Sequence, residues 1–227
     1  SVIYKKIERP TMPHIPHIRP VLLMLLCVSA LSAHAAAPSD KQIVNWLTNK
    51  DKIVAEEVNS NTVSITQTEA ITLQSGEQAY LSAVEYADSG RNFSNGYILT
   101  RPQLKQSQHL ESFAGQSSSI EVLSRKRKAT LLELESSGSG QGTMASALSL
   151  VTFNGWKPVV HYKSESYDDF GYASETRGCT SIEAKVKFKD GNPAKVTETI
   201  KTLHQKDCNK PKTAKTKTET KVKTIAW

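Results

Sequence analysis

The chain has 227 residues, 38% of them hydrophobic and 22% charged, a composition that excludes a disordered chain or an integral helical membrane bundle and suits one ordinary soluble domain or two small ones. Its formal net charge is +7, from 29 Lys and Arg against 22 Asp and Glu. That would point to nucleic acid if the cations sat in the folded body. Residues 1–35 carry a net +3 and residues 209–227 a net +5, which leaves 36–208 at −1, so nucleic acid is not the expected partner.

Residues 21–33 form an apolar run too short for a stable membrane span, with Arg19 before it and Ala33-His34-Ala35 after it. An upstream positive charge, a short apolar core and a small-x-small exit predict a secretory signal peptide over 1–35, cut after Ala35, with Met12 as its expected start. Three parts follow: the leader, a single β-rich secreted or periplasmic domain at 36–208, and a Lys/Thr-rich tail or edge strand at 209–227. No stable membrane insertion is expected once the leader is gone.

Loss of the leader removes Cys27 and leaves Cys179 and Cys208, 29 residues apart. An even count in an oxidising compartment predicts a disulfide, which by the chain-entropy model contributes about 3 kcal/mol. A zinc site lacks ligands. The remaining histidines are His109, His161 and His204, with no Cys-x-x-Cys and no His-Glu-x-x-His. No metal and no cofactor are expected.

Ser39 with Gln42 three residues later makes a capping box, and Ile43, Trp46 and Leu47 follow at helical spacing. This predicts a short N-terminal helix, with a weaker continuation over 51–58. From Val63 the period changes to two. Strands are predicted at 63–65, 80–86, 97–100, 120–123, 130–135, 147–153, 159–163, 182–188 and 196–203. The clearest is 182–188, where Ile182, Ala184, Val186 and Phe188 alternate with Glu183, Lys185 and Lys187. Asn95-Gly96, Asn154-Gly155 and Asp190-Gly191-Asn192-Pro193 supply turn chemistry. The fold expected is mainly β: an antiparallel meander of about eight to ten strands forming a sandwich or a partly closed, propeller-like sheet.

The most distinctive segment is Ser136-Ser137-Gly138-Ser139-Gly140-Gln141-Gly142-Thr143, read as a loop between two strands. Such a loop can offer backbone N–H groups to a carbonyl or an anion, and its plainer reading is a hairpin connection. It is neither a P-loop nor a Gly-x-Ser-x-Gly elbow. Together with the strand ending Phe153-Asn154-Gly155-Trp156, about 30 residues in all, it resembles the central hairpin of the periplasmic inhibitors of invertebrate-type lysozyme, whose Ser-Gly-x-x-Tyr loop plugs the lysozyme cleft. In place of the family's tyrosine stands Gln141 counted from Ser137, or Thr143 counted from Ser139. The resemblance implies an inhibitory loop made of Ser137, Gly138, Ser139, Gly140, Gln141 and Thr143. The same hairpin and residues 187–200 also resemble degenerate FG-GAP-type β repeats, whose calcium ligands are missing before Asp190-Gly191.

A second candidate is the aromatic and acidic cluster of Tyr162, Tyr167, Asp168, Asp169, Phe170 and Tyr172. Read as a recognition loop, it offers Tyr167, Asp168, Asp169 and Tyr172 to a protein or a sugar; read plainly, it is a long connection. Adjacent carboxylates in an extended stretch point to opposite sides, which does not suit glycoside hydrolysis. Ser124-Arg125-Lys126-Arg127-Lys128 reads as a solvated turn or a contact for anionic lipid or glycan phosphate. Lys223, Lys221 and Glu219 stand where a closing outer-membrane barrel strand would face lipid, which excludes that fold.

The expected function is that of a non-enzymatic binding protein whose partner is a protein or glycan of the cell envelope. The alternatives are an envelope hydrolase built on Ser139, His161 and Asp169, or a purely structural envelope protein.

Overall fold

A computed structural model describes residues 37–169, 179–206, 208 and 215–227. The leader, Phe170 and Tyr172 lie outside the described residues. The chain begins with α1 (Asp40–Asn45), capped by Ser39, which accepts the Gln42 N–H while the Gln42 side chain accepts the Ser39 N–H.

Two antiparallel meanders follow. The first sheet is β1 (Val63–Thr72), β2 (Gln78–Tyr86), β3 (Asn95–Arg101) and β4 (Gln106–His109), in that spatial order. The second comprises β5 (Ser117–Ser124), β6 (Leu131–Gly140), β7 (Thr143–Asn154), β8 (Lys157–Asp168), β9 (Cys179–Lys189), β10 (Ala194–Gln205) and β11 (Lys215–Ile225), each strand beside its sequence neighbour.

The central strands of the first sheet, β2 and β3, are buried on both faces, and the side-chain period of two decides which residue goes where. Leu81 and Ala83 of β2, with Tyr97 and Leu99 of β3, join Ile120, Leu132, Leu134, Val151 and Phe153 of the second sheet in the main core. Val84, Tyr86 and Ile98 point the other way, onto Ile43, Val44 and Leu47 of the helical segment. The layers are therefore helix, four-stranded sheet and β5–β7. At their centre the buried Tyr97 hydroxyl lies 2.8 Å from the Ser119 carbonyl, touches that of Glu135 and accepts the Ser119 N–H at 3.0 Å.

The second sheet folds back on itself. β7 and β8 pair over eleven positions, whereas β8 and β9 share two, Tyr167 with Ile182 and Asp168 with Ser181. Beyond that hinge β9–β11 cross over the inner face of β6–β8. Leu131 and Leu150 there meet Ala194, Val196 and Ile225, with Val186, Phe188, Tyr162 and Trp227 around them. The closure has a polar latch. Buried Glu198 of β10 accepts the Tyr162 hydroxyl at 2.7 Å and the Ser164 hydroxyl at 2.5 Å, and burial followed by this carboxylate pushes the Tyr162 phenol up to about 12. Across the seam Ser124 donates to Asp190 at 3.0 Å, and the Arg127 guanidinium lies 4.0 Å from the Trp227 ring centroid. Cys179 and Cys208 form a disulfide, Cα–Cα 5.6 Å, at the start of β9.

Of the two expected architectures this is the sandwich, with eleven strands among the described residues. Several local expectations are corrected. Residues 136–140 continue β6 and Thr143 opens β7, because pairing to β7 throughout, and to β5 as far as Ser137, overrides the weak strand propensity of Ser and Gly. The supposed recognition loop is strand up to Asp168. Asn95-Gly96 starts β3 rather than turning the chain, and after α1 only a short 3-10 turn at Lys50–Lys52 forms where a helical continuation is predicted.

Candidate binding surface

The far ends of β6, β7 and β8 make a ribbon of small side chains. Over residues 136–147 only Gln141 and Met144 exceed Thr in size. The reversal at its tip is two residues long, with φ of +51° at Gln141 and +80° at Gly142. Two consecutive left-handed residues are the geometry of a type I′ hairpin, whose twist matches that of its strands. Thr143 Oγ1 donates to the Gly140 carbonyl at 2.8 Å and braces the turn.

The ribbon is held along one edge as far as Ser139, one pair short of its tip. Gln116 Nε2 donates to the Ser139 carbonyl at 2.8 Å and to Asn92 Oδ1 at 2.7 Å. Ser139 Oγ in turn donates to Gln116 Oε1 at 2.9 Å and accepts from Arg91 at 3.0 Å. Gly115 allows this approach: a Cβ there would stand 2.6 Å from the Ser137 carbonyl oxygen.

Register adds a feature that single positions do not reveal. Ser117 pairs with Ser137, Ser137 with Ser146 and Ser146 with Ser166. Directly paired residues share a face, so four hydroxyls cross the sheet in one row. Ser117 and Ser137 lie 2.6 Å apart, and Ser166 accepts the Ala184 N–H at 3.0 Å.

Because its side chains are small, the ribbon is dented on both faces. One groove, about 410 Å³, lies over Ser136, Gly138, Ala145 and Ala147 between Asn92 and Tyr167. The other, about 260 Å³, lies over Ser146 and Ser166 between Met144 and Ile182. Met144 and Tyr167 are 63% and 39% exposed, and Glu165, Asp168 and Glu183 stand on the rim, Glu165 paired with Lys163 at 2.7 Å and Glu183 with Lys185 at 2.9 Å.

Ser137, Gly138, Ser139, Gly140, Gln141 and Thr143 thus gather on the ribbon, with Tyr167 and Asp168 beside it on β8. Asp169 plays a different part: it accepts the Thr180 N–H, its own N–H donates to the Thr180 carbonyl at 3.1 Å, and so it ties β8 to β9. Tyr172 lies outside the described residues. Sequence reasoning missed Ser117, Ser146 and Ser166, because their alignment is a property of the register.

The hydrolase constellation is not assembled. Ser139 pairs with Met144 and Met144 with Asp168, at the tip. His161 stands seven residues back along β8, on the order of 20 Å away at the rise of a strand. There its Nε2 is 2.9 Å from Thr152 Oγ1, and burial pushes its imidazole below the usual range. Among the described residues no group of three His, Cys, Asp or Glu could hold a metal ion, and no helix is long and apolar enough to cross a membrane. Comparison of the chain with family models, with curated proteins and with solved structures gives no match.

Proposed function

We propose that the protein is a secreted or periplasmic, non-catalytic binding protein that seats the β6–β7 ribbon in a groove on a protein or glycan of the cell envelope. One observation carries this reading: a braced hairpin that is thin through both faces, with exposed Met144 and Tyr167 at its sides. A groove built for an extended chain admits backbone and small side chains, and hydroxyls on a rigid strand bind at little entropic cost. The resemblance of this hairpin to inhibitors of invertebrate-type lysozyme makes that enzyme the first partner to test.

The test is thickness. Wild-type protein titrated into invertebrate-type lysozyme is expected to lower muramidase activity stoichiometrically. Ala145→Trp, an exposed position on the ribbon, is expected to weaken inhibition at least about tenfold, a loss of about 1.4 kcal/mol, with an unchanged melting temperature. Full enzyme activity in the presence of excess wild type removes the lysozyme version. No binding to peptidoglycan fragments either, or equal binding by Ala145→Trp, overturns the ribbon as the contact.

A further inference from the structure

We infer that the outer face of β9–β11 is a docking surface for an anionic membrane, held by electrostatics at the level of the phosphate headgroups. The inference does not rest on the ribbon, which lies at the far end of β6–β8.

Charge in this chain divides at Cys179. Residues 179–227 carry a net +7 and residues 36–178 a net −3. Within the C-terminal part, register sorts the lysines. The inner face of β9 and β10 carries Val186, Phe188, Ala194 and Val196 into the core. The opposite face presents three successive cross-strand rows: Lys189–Lys195–Thr224, Lys187–Thr197–Val222 and Lys185–Thr199–Thr220, followed by Glu183–Lys201–Thr218. All five lysines are exposed.

Two features set this face apart from an ordinary solvated surface. Lys189 and Lys195 are directly opposite each other, an arrangement that costs stability in an antiparallel pair. Among the described residues, Lys187, Lys189 and Lys195 have no ion-pair partner, while Lys185 is paired with Glu183 at 2.9 Å. The field also extends past the sheet. The 125–130 hairpin abuts the β9–β10 turn, through Lys126 to Asp190 at 3.6 Å and Arg127 to the Gly191 carbonyl at 2.5 Å, and Lys126 is 82% exposed.

The form of the face selects the occupant. It is a sheet surface with neighbouring strands about 4.8 Å apart and successive rows about 6.6 Å apart along each strand. No aromatic side chain stands on its rows to stack a sugar or a base. A regular array of ammonium groups without a stacking platform matches a surface of phosphates, where each lysine near the surface strengthens binding severalfold and salt weakens it. No apolar anchor inserts, since Val222 is the one hydrophobic residue of the four rows, so attachment is peripheral and reversible.

Flotation of the full chain with vesicles tests this. Wild type is expected to float with phosphatidylcholine vesicles containing about a third phosphatidylglycerol at low salt, to be released at about 0.5 M salt, and to ignore pure phosphatidylcholine. Each Lys→Thr change among Lys185, Lys187, Lys189 and Lys195 is expected to lower the partition coefficient about fivefold, and Thr220→Lys to raise it about as much. No flotation, flotation without dependence on lipid charge, or variants that float like wild type would overturn the proposal. Retention by a soluble sulfated polysaccharide without flotation would overturn it in favour of a polymer ligand. Should a lysine variant fail to fold, the salt and lipid dependence of wild type and the gain in Thr220→Lys still decide the matter.

Discussion

Single residues show how this fold tolerates polar groups in its layers. His109, at the end of β4, is buried with its Nδ1 2.7 Å from the Tyr86 hydroxyl and its N–H donated to Asn49 Oδ1 at 2.9 Å. Burial, partly offset by Glu111, pushes the imidazole below its ordinary value of 6.5. The unfolded chain then takes up a proton near that value while the folded chain resists it, so this contribution to stability is intact above it and is lost as pH falls through and below it. Denaturation of wild type and His109→Gln between about pH 7.5 and 5 should show a steeper loss in wild type. Tyr86→Phe should cost about 1–2 kcal/mol by orphaning the buried ring nitrogen. Glu133 behaves in the opposite sense. Burial first, then Glu121 directly opposite and Glu135 two residues on, push its carboxyl up. The folded state therefore holds the proton more tightly, and the charged form is penalised at neutral pH. Glu133→Gln should raise the melting temperature by a few degrees at pH 7, with the gain shrinking as pH falls toward the ordinary carboxylate value of 4.5.

At the scale of elements, the ribbon depends on two glycines for different reasons. Gly142 supplies the second left-handed residue of the tip, so Gly142→Val should strain the turn by roughly 1–2 kcal/mol and expose the 136–147 amides to faster hydrogen exchange. Gly115→Ala drives a methyl against the Ser137 carbonyl and should cost about 1–3 kcal/mol, read by chemical denaturation. These elements were legible in the sequence to unequal degrees. Alternation such as Ile182, Ala184, Val186 and Phe188 identified β9 directly, and Asp190-Gly191-Asn192-Pro193 identified its reversal. β4, Gln-Ser-Gln-His, carries no hydrophobic alternation and exists through its pairing with β3 and through contacts made 59 and 60 residues away, from Thr48 to the Ser107 carbonyl and from Asn49 to His109. The Ser/Gly stretch hid the ends of β6 and β7 because strand propensity there is poor and cross-strand pairing supplies what propensity lacks. The serine row was out of reach, since it is a property of register across four strands.

For the molecule as a whole, the two-pair junction between β8 and β9 governs behaviour. With so little pairing across it, β9–β11 stay closed through the Leu131, Leu150 and Val196 contacts and the Glu198 latch, while the Cys179–Cys208 disulfide ties the start of β9 to the end of β10. Amides of β10 should exchange by openings of lower free energy than those of β6 and β7; equal protection would mean that the wing and the body unfold together. Glu198→Ala should remove the latch and leave two hydroxyls unpaired, lowering stability by roughly 2–3 kcal/mol. The sequence reading divided the charges at 209, which made the body look neutral. The charges divide at Cys179, and the sheet register gathers the lysines beyond it on one face. Export is the premise on which both the disulfide and an envelope partner stand. It is tested most directly by intact-mass analysis of the native protein after alkylation without reductant. The account predicts a chain beginning at Ala36 with Cys179 and Cys208 unmodified; a chain that retains the 21–33 run with both thiols alkylated would contradict it.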